Sequence, residues 1–217
     1  MLAEAVLCGL FVLFVYGAIY VVFQLHLMPR PIARVVAKIY FFPMYPFTLL
    51  ARRGNYYTAM DPTVILGAVP VVCAGHVTQM VSLGVRAVVN VCDEYEGPID
   101  AYKKQGIVQL RVPTVDHTEA SVSDIQKSIE FIEVHKKLGA KVYVHCKAGS
   151  GRSAAIVFCW LLKTTKMTPL EVQSFMSVKR RVRRKLYKQK NVLEFYETLK
   201  PLEGHGGGAS AAKVLAV

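Results

Sequence analysis

The chain is short of acid. Its 217 residues carry 15 Asp and Glu against 27 Lys and Arg, a formal net charge of +12. The shortfall is local: residues 25–53 contain Arg30, Arg34, Lys38, Arg52 and Arg53 without one carboxylate, and eight of the twelve residues 179–190 are Lys or Arg, again with no acid. Such runs call for an anionic partner. The second run has no aromatic stacking platform or recognised motif beside it, so nucleic acid is not expected. An anionic lipid surface, to which each nearby basic residue contributes ~1 kcal/mol, is the better reading; a solvated helix face is the alternative. Cysteine is also sparse. Five of them, an odd number spread along the chain, argue against a disulfide framework and for a reducing compartment. No internal repeat is present.

Charge is missing altogether from Ala5 to Phe23, 19 residues, close to the ~20 needed to cross a bilayer core. The start lacks the basic n-region of a removed signal peptide. Residues 1–28 therefore read as a retained membrane anchor, with a buried helix or a cleaved segment as alternatives. The basic flank that follows places the rest of the chain on the cytosolic or matrix side by the positive-inside rule. Residues 29–55 read as a juxtamembrane segment in which Ile39 to Leu50, interrupted by Pro43 and Pro46, is too short to span and suited to lying in the interface.

What is present is concentrated in Lys141 to Ser153. Val142 and Val144 alternate with Tyr143 as a buried strand, and Ala154 to Leu162 is apolar enough for a buried helix. Between them Gly149 and Gly151 let the loop from Lys147 to Gly151 turn its N–H groups inward, and the helix N-terminus adds partial positive charge, which makes an anion nest. Lys147, Ala148, Gly149, Ser150 and Gly151 are thus the candidate phosphate-binding residues. Cys146 stands at the rim, its thiol expected below the ordinary ~8.5 and nucleophilic at neutral pH. Arg152 offers a planar fork for two phosphoryl oxygens. Ser153 can donate a hydrogen bond to the sulfur, and His145 is better placed to orient the loop from behind than to act as a base. Cys8, Cys73, Cys92 and Cys159 read as anchor or packing residues.

A cysteine nucleophile attacking a phosphate monoester needs a general acid for the leaving alcohol. Asp116 follows a strand-like segment, Gln109 to Val115, and precedes the nucleophile by 30 residues; it is the expected acid. Asp93 and Asp124 are its rivals, and Asp124 is better explained by helix capping, with Ser123 and Gln126 as a capping box.

The Cys146 to Arg152 loop, with its preceding His and following Ser, resembles the protein tyrosine phosphatase superfamily in its compact dual-specificity branch. Adding Asp61-Pro-Thr-Val-Ile-Leu-Gly67, Arg86 to Val91 and the Asp93-Glu-Tyr-Glu96 loop, residues 40–199 resemble the mitochondrial phosphatidylglycerophosphate phosphatase family. That resemblance implies hydrolysis of a phospholipid monoester through a cysteinyl-phosphate, no metal or cofactor, supporting roles for Glu94 and Glu96, and a place in the mitochondrial inner membrane facing the matrix. The endoplasmic reticulum membrane, facing the cytosol, is the alternative. A tethered dual-specificity protein phosphatase and a phosphate-binding module without turnover are the competing functions. Two departures weaken the substrate assignment: Ser150 stands where the family commonly has Arg, and residues 178–190 lack an expected Arg-Pro pair. Lys147 resembles the corresponding lysine of phosphatase-and-tensin-type lipid phosphatases, keeping a basic site floor, or else is a solvated surface lysine.

The expected fold class is α/β: one phosphatase domain over residues 56–202, a mainly parallel sheet flanked by helices, behind an N-terminal transmembrane helix. Strands are expected near 63–69, 86–91, 107–112 and 141–145. Helices are expected near 75–83, 98–105, 122–137, 152–166, 169–178 and 188–199, with Thr168, Pro169 and Glu171 marking one helix start. Residues 203–217 read as a mobile tail.

Overall fold

The apolar run behind the cysteine becomes α7 (Arg152–Thr164), buried from Arg152 to Leu162. It is apolar all round because it is covered all round: the sheet lies on one side, and α6 (Val122–Lys137), α8 (Pro169–Lys179) and α9 (Lys190–Leu199) lie on the others. The structure is a computed structural model that describes residues 2–25 and 27–200, so the tail expected over 203–217 lies outside the described residues.

The sheet contains β1 (Tyr57–Ala59), β2 (Val64–Gly67), β3 (Val85–Cys92), β4 (Val108–Thr114) and β5 (Lys141–His145). Their order is β1-β2-β5-β3-β4, parallel throughout except for β1, which pairs antiparallel at the edge. The mainly parallel sheet expected from the sequence is present. β1 has no counterpart among the strands read from the sequence, because three residues are too few to display a period. Alternation then sorts side chains to two cores. Val64, Leu66, Val89, Val142 and Val144 face α6 to α9, while Ile65, Val88 and Tyr143 face α4 (His76–Ser82) and α5 (Ile99–Lys104). A register shift between Val85 and Ala87 sends these two residues to opposite cores.

Helix ends follow local chemistry. Thr168 and Glu171 form the expected capping box, with the Thr168 N–H donating to Glu171 Oε2 at 2.7 Å. At α6 the cap is displaced from the expected Ser123: Ser121 Oγ accepts from the Asp124 N–H at 3.0 Å, so Asp124 occupies the third helical position.

Residues 29–55 are largely helical. The expected juxtamembrane segment folds into α2 (Arg30–Phe41) and α3 (Tyr45–Ala51). Ala33, Val36, Ala37 and Tyr40 of α2 are buried with Phe23, near the end of α1 (Leu2–Gln24). The exposed face of these helices keeps Ile39, Phe42, Phe47 and Leu50. α1 is long and apolar enough to cross a membrane, and most of its side chains are exposed.

Candidate active site

β5 is central in the sheet, so Cys146 emerges at the carboxyl edge between β2 and β3, where parallel sheets open a crevice for ligands. The loop that follows is shaped from behind. Gly149 has φ +62°, and a Cβ there would run into the Gly67 carbonyl oxygen, so only glycine fits. Arg180, only 1% exposed, donates through Nε to the Gly149 carbonyl at 2.9 Å and through Nη2 to that of Ala148 at 3.2 Å. Its Nη1 reaches the Asn55 carbonyl at 2.7 Å. Carbonyls drawn backward leave the loop N–H groups directed at the sulfur, among them those of Ser150 and Ser153.

Cys146 is buried, and Ser153 Oγ donates to its Sγ at 3.2 Å. Burial alone pushes this thiol up. The Arg152 guanidinium, the Ser153 hydroxyl and the two amides outweigh that effect and hold it below its ordinary value. The other buried thiols differ: burial drives Cys92 well up, while Cys159 also rises because burial acts on it unopposed. His145 is fully buried and pushed down to about 3 by burial, so it is neutral and unsuited to taking a proton at pH 7.

Arg152 is held by an acidic cradle. Nη1 and Nη2 donate to the two Glu94 carboxylate oxygens at 2.7 Å each, Nη1 also donates to the Thr114 carbonyl at 2.8 Å, and Nη2 lies 3.0 Å from Asp116 Oδ1. The loop carrying Glu94 is bent into place by buried Asn90, whose Nδ2 donates to the Tyr95 carbonyl and whose Oδ1 accepts from the Cys92 N–H, both at 2.9 Å. With side chains 2% and 1% exposed, Arg152 and Glu94 form a buried bidentate pair. Glu94→Ala is expected to remove ~3–5 kcal/mol of stability and roughly 10 °C of Tm, read by thermal unfolding in detergent. An unchanged Tm would mean the pair contributes nothing net.

Asp116 lies beside His117, a non-glycine residue at φ +64°. Burial would raise the Asp116 carboxyl; Arg152, His117 and Lys147 together hold it below the usual carboxylate range. Its rivals are elsewhere: Asp93 pairs with Arg34 of α2 at 3.0 Å, and Asp124 caps α6. Glu96 faces outward, pairing with Arg111 at 3.1 Å, and supports the loop rather than the cavity. Lys147 is half-buried with its Nζ 5.8 Å from the Phe41 ring centroid, and burial lowers its pKa; it faces the cavity and is not a freely solvated surface lysine.

The cavity around Cys146 measures about 450 Å³. Lys147, Ala148, Ser150, Gly151 and Arg152 form its floor; Gly149 sits behind. One wall comes from the N-terminal helices, through Tyr20 and Gln24 of α1 and Phe47, Thr48 and Ala51 of α3. These helices also brace the two acidic loops: Phe23 packs edge-on against His117 at 4.9 Å, and Phe41 stacks on Tyr95 at 5.2 Å. Arg52, Arg181 and Arg183 complete the rim. The basic run is thus divided. Arg180 is a buried brace, Arg181 and Arg183 face the cavity, and no feature of the sequence distinguishes these arginines from their neighbours.

Residues 66–198 match the family described as dual specificity phosphatase, catalytic domain. The human protein named phosphatidylglycerophosphatase and protein-tyrosine phosphatase 1 is 36% identical over 149 residues, covering 63% of this chain and 73% of its own. The Arabidopsis thaliana phosphatidylglycerophosphate phosphatase PTPMT1 is 33% identical over 175 residues, 77% of this chain and 51% of its own. A crystal structure of PTPMT1 in complex with PI(5)P superposes with a TM-score of 0.59 at 30% identity, covering 67% of this chain and 97% of that one. The chain belongs to the dual specificity phosphatase family and is a cysteine phosphatase of the protein tyrosine phosphatase superfamily.

Proposed function

We propose that this chain is a membrane-anchored phosphatase that converts phosphatidylglycerophosphate to phosphatidylglycerol. The Cys146 thiolate attacks phosphorus, the bond to the glycerol oxygen breaks, and Asp116 gives that oxygen its proton. Asp116 then takes a proton from water as the water attacks the cysteinyl-phosphate. The P–S bond breaks, the Ser153 hydroxyl stabilises the departing thiolate, and inorganic phosphate leaves. Arg152 and the loop amides hold the equatorial oxygens in both steps. Arg152 favours the ionised Asp116 in the free enzyme; an arriving phosphate dianion sits against the same guanidinium, and its negative charge favours the protonated acid.

The lipid assignment is carried by the cavity wall. Tyr20 and Gln24 lie in the last turns of the apolar α1, so the site opens where that helix ends. The exposed Ile39, Phe42, Phe47 and Leu50 suit an interfacial seat beside it. A headgroup phosphate then reaches Cys146 while the acyl chains stay in the leaflet. The names of the human and Arabidopsis relatives support the same substrate. The family resemblance favours the mitochondrial inner membrane, and there the basic flank puts the domain on the matrix side.

The human relative's name also includes protein-tyrosine phosphatase, which keeps a phosphoprotein substrate as the second reading. The full chain in vesicles is expected to turn over phosphatidylglycerophosphate with kcat/KM at least ~10-fold above that for phosphotyrosine peptides. The reverse order would sink the lipid assignment and leave the cysteine chemistry standing.

A further inference from the structure

Ser150 brings no charge to the phosphate loop, and the fold delivers a guanidinium to the same rim from Arg183. The Arg183 N–H donates to the Ser150 carbonyl at 2.8 Å, which fixes that residue against the loop. Its side chain lies on Gly151: Nη2, Cζ and Nε stand 3.3, 3.5 and 3.6 Å from the point a Cβ would occupy there. A side chain at position 151 would press on this guanidinium, so the glycine makes room for it as well as for the turn. Arg181 lines the same cavity.

These two arginines differ in their bonding from the cations around them. Arg52 donates to the Arg181 carbonyl and Arg180 to the loop carbonyls, so both are engaged in holding backbone. Arg152, held by Glu94, Thr114 and Asp116, is committed to the reacting phosphoryl group at the floor. Among the described residues, the Arg181 and Arg183 side chains have no carboxylate partner, and the cavity they line contains Asp116 as its one acid. A guanidinium in that position has its fork available for an incoming anion. The reacting phosphoryl group already has Arg152 and the loop amides, whereas Arg183 sits outside the floor, across Gly151.

We propose that Arg183, assisted by Arg181, forms a second anion subsite that binds the non-reacting phosphodiester of a substrate whose two phosphates are joined by a short polyol. It thereby selects such substrates over simple monophosphates. This rests on the phosphatidylglycerophosphate reading, since that lipid carries a terminal monoester and a phosphodiester separated by one glycerol unit.

The test uses soluble compounds, so that attraction of basic residues to a membrane cannot mimic the effect. The full chain in neutral detergent is assayed on glycerophosphoglycerol phosphate, the deacylated headgroup with both phosphates, and on glycerol 3-phosphate, which has only the monoester. The wild type is expected to favour the first by about 10- to 100-fold in kcat/KM, mainly through KM, as a bidentate charge-assisted contact allows. Arg183→Gln should reduce that ratio by at least ~10-fold, and Arg181→Gln by less. Arg183→Lys should recover part of it, because charge returns without the fork. A wild type without preference overturns the proposal. So does an equal loss on both compounds, which would assign Arg183 to the reacting phosphate. The lipid reading fails separately: if phosphopeptides outcompete phosphatidylglycerophosphate vesicles while the soluble ratio still responds to Arg183→Gln, the subsite stands without it.

Discussion

Cys146→Ser is expected to lower kcat by at least ~10⁴-fold on every phosphate monoester while leaving the anion nest able to bind inorganic phosphate. The substitution keeps a small polar side chain at the end of β5 and leaves the backbone of the loop unchanged. It removes the group whose ionisation the site is built to favour. Arg152, the Ser153 hydroxyl and two amides lower the Cys146 thiol against the opposing effect of burial. The same environment acts on a serine whose hydroxyl starts far too high to ionise at neutral pH. Kinetics with an aryl phosphate, together with phosphate binding by calorimetry, check both halves. Turnover within tenfold of wild type, after contaminating phosphatases are excluded, would be incompatible with a cysteinyl-phosphate.

Asp116→Asn is expected to cost ~10²- to 10⁴-fold in kcat and to change the shape of the pH profile. In the wild type, kcat/KM is expected to depend on Cys146 without its proton and Asp116 with its own, which gives a bell. Both groups lie below their ordinary values, so the bell is displaced toward acid. Asparagine can still accept from Arg152 but has no proton to give. The dependence on a protonated Asp116 is therefore expected to disappear, leaving a profile that only rises with pH as Cys146 ionises. The loss should be larger for an alkyl leaving group such as glycerol than for a nitrophenol, which departs as a stable anion without help. A mutant that keeps the full bell would return the acid assignment to another residue, although the ion pair of Asp93 with Arg34 and the capping role of Asp124 leave neither free for it.

Local sequence determined more of this protein than its composition did. The apolar runs of β2, β3, β5 and α7 each report burial directly, because a residue hidden on both sides of an element has to be apolar wherever it falls. The candidate nucleophile loop was legible for a related reason. Cys146, Gly149, Arg152 and Ser153 lie within eight residues, so their geometry is that of a single strand-loop-helix turn.

Tertiary structure decided what depends on distant partners. Glu94 and Arg152 are 58 positions apart, and their bidentate contact exists because β3 and β5 are neighbours in the sheet. Arg180, Arg181 and Arg183 look alike in a basic run, yet the turn after α8 buries the first behind the loop and brings the other two to the cavity. The N-terminal helices are the clearest case. Apolarity marked α1 as long enough to span, but nothing in its sequence says that Tyr20 and Gln24 would wall the site or that Phe23 would brace the loop of Asp116. Hydrophobic patterning records how deeply a residue is buried and is silent about which surface buries it; that was settled only when the chain closed on itself.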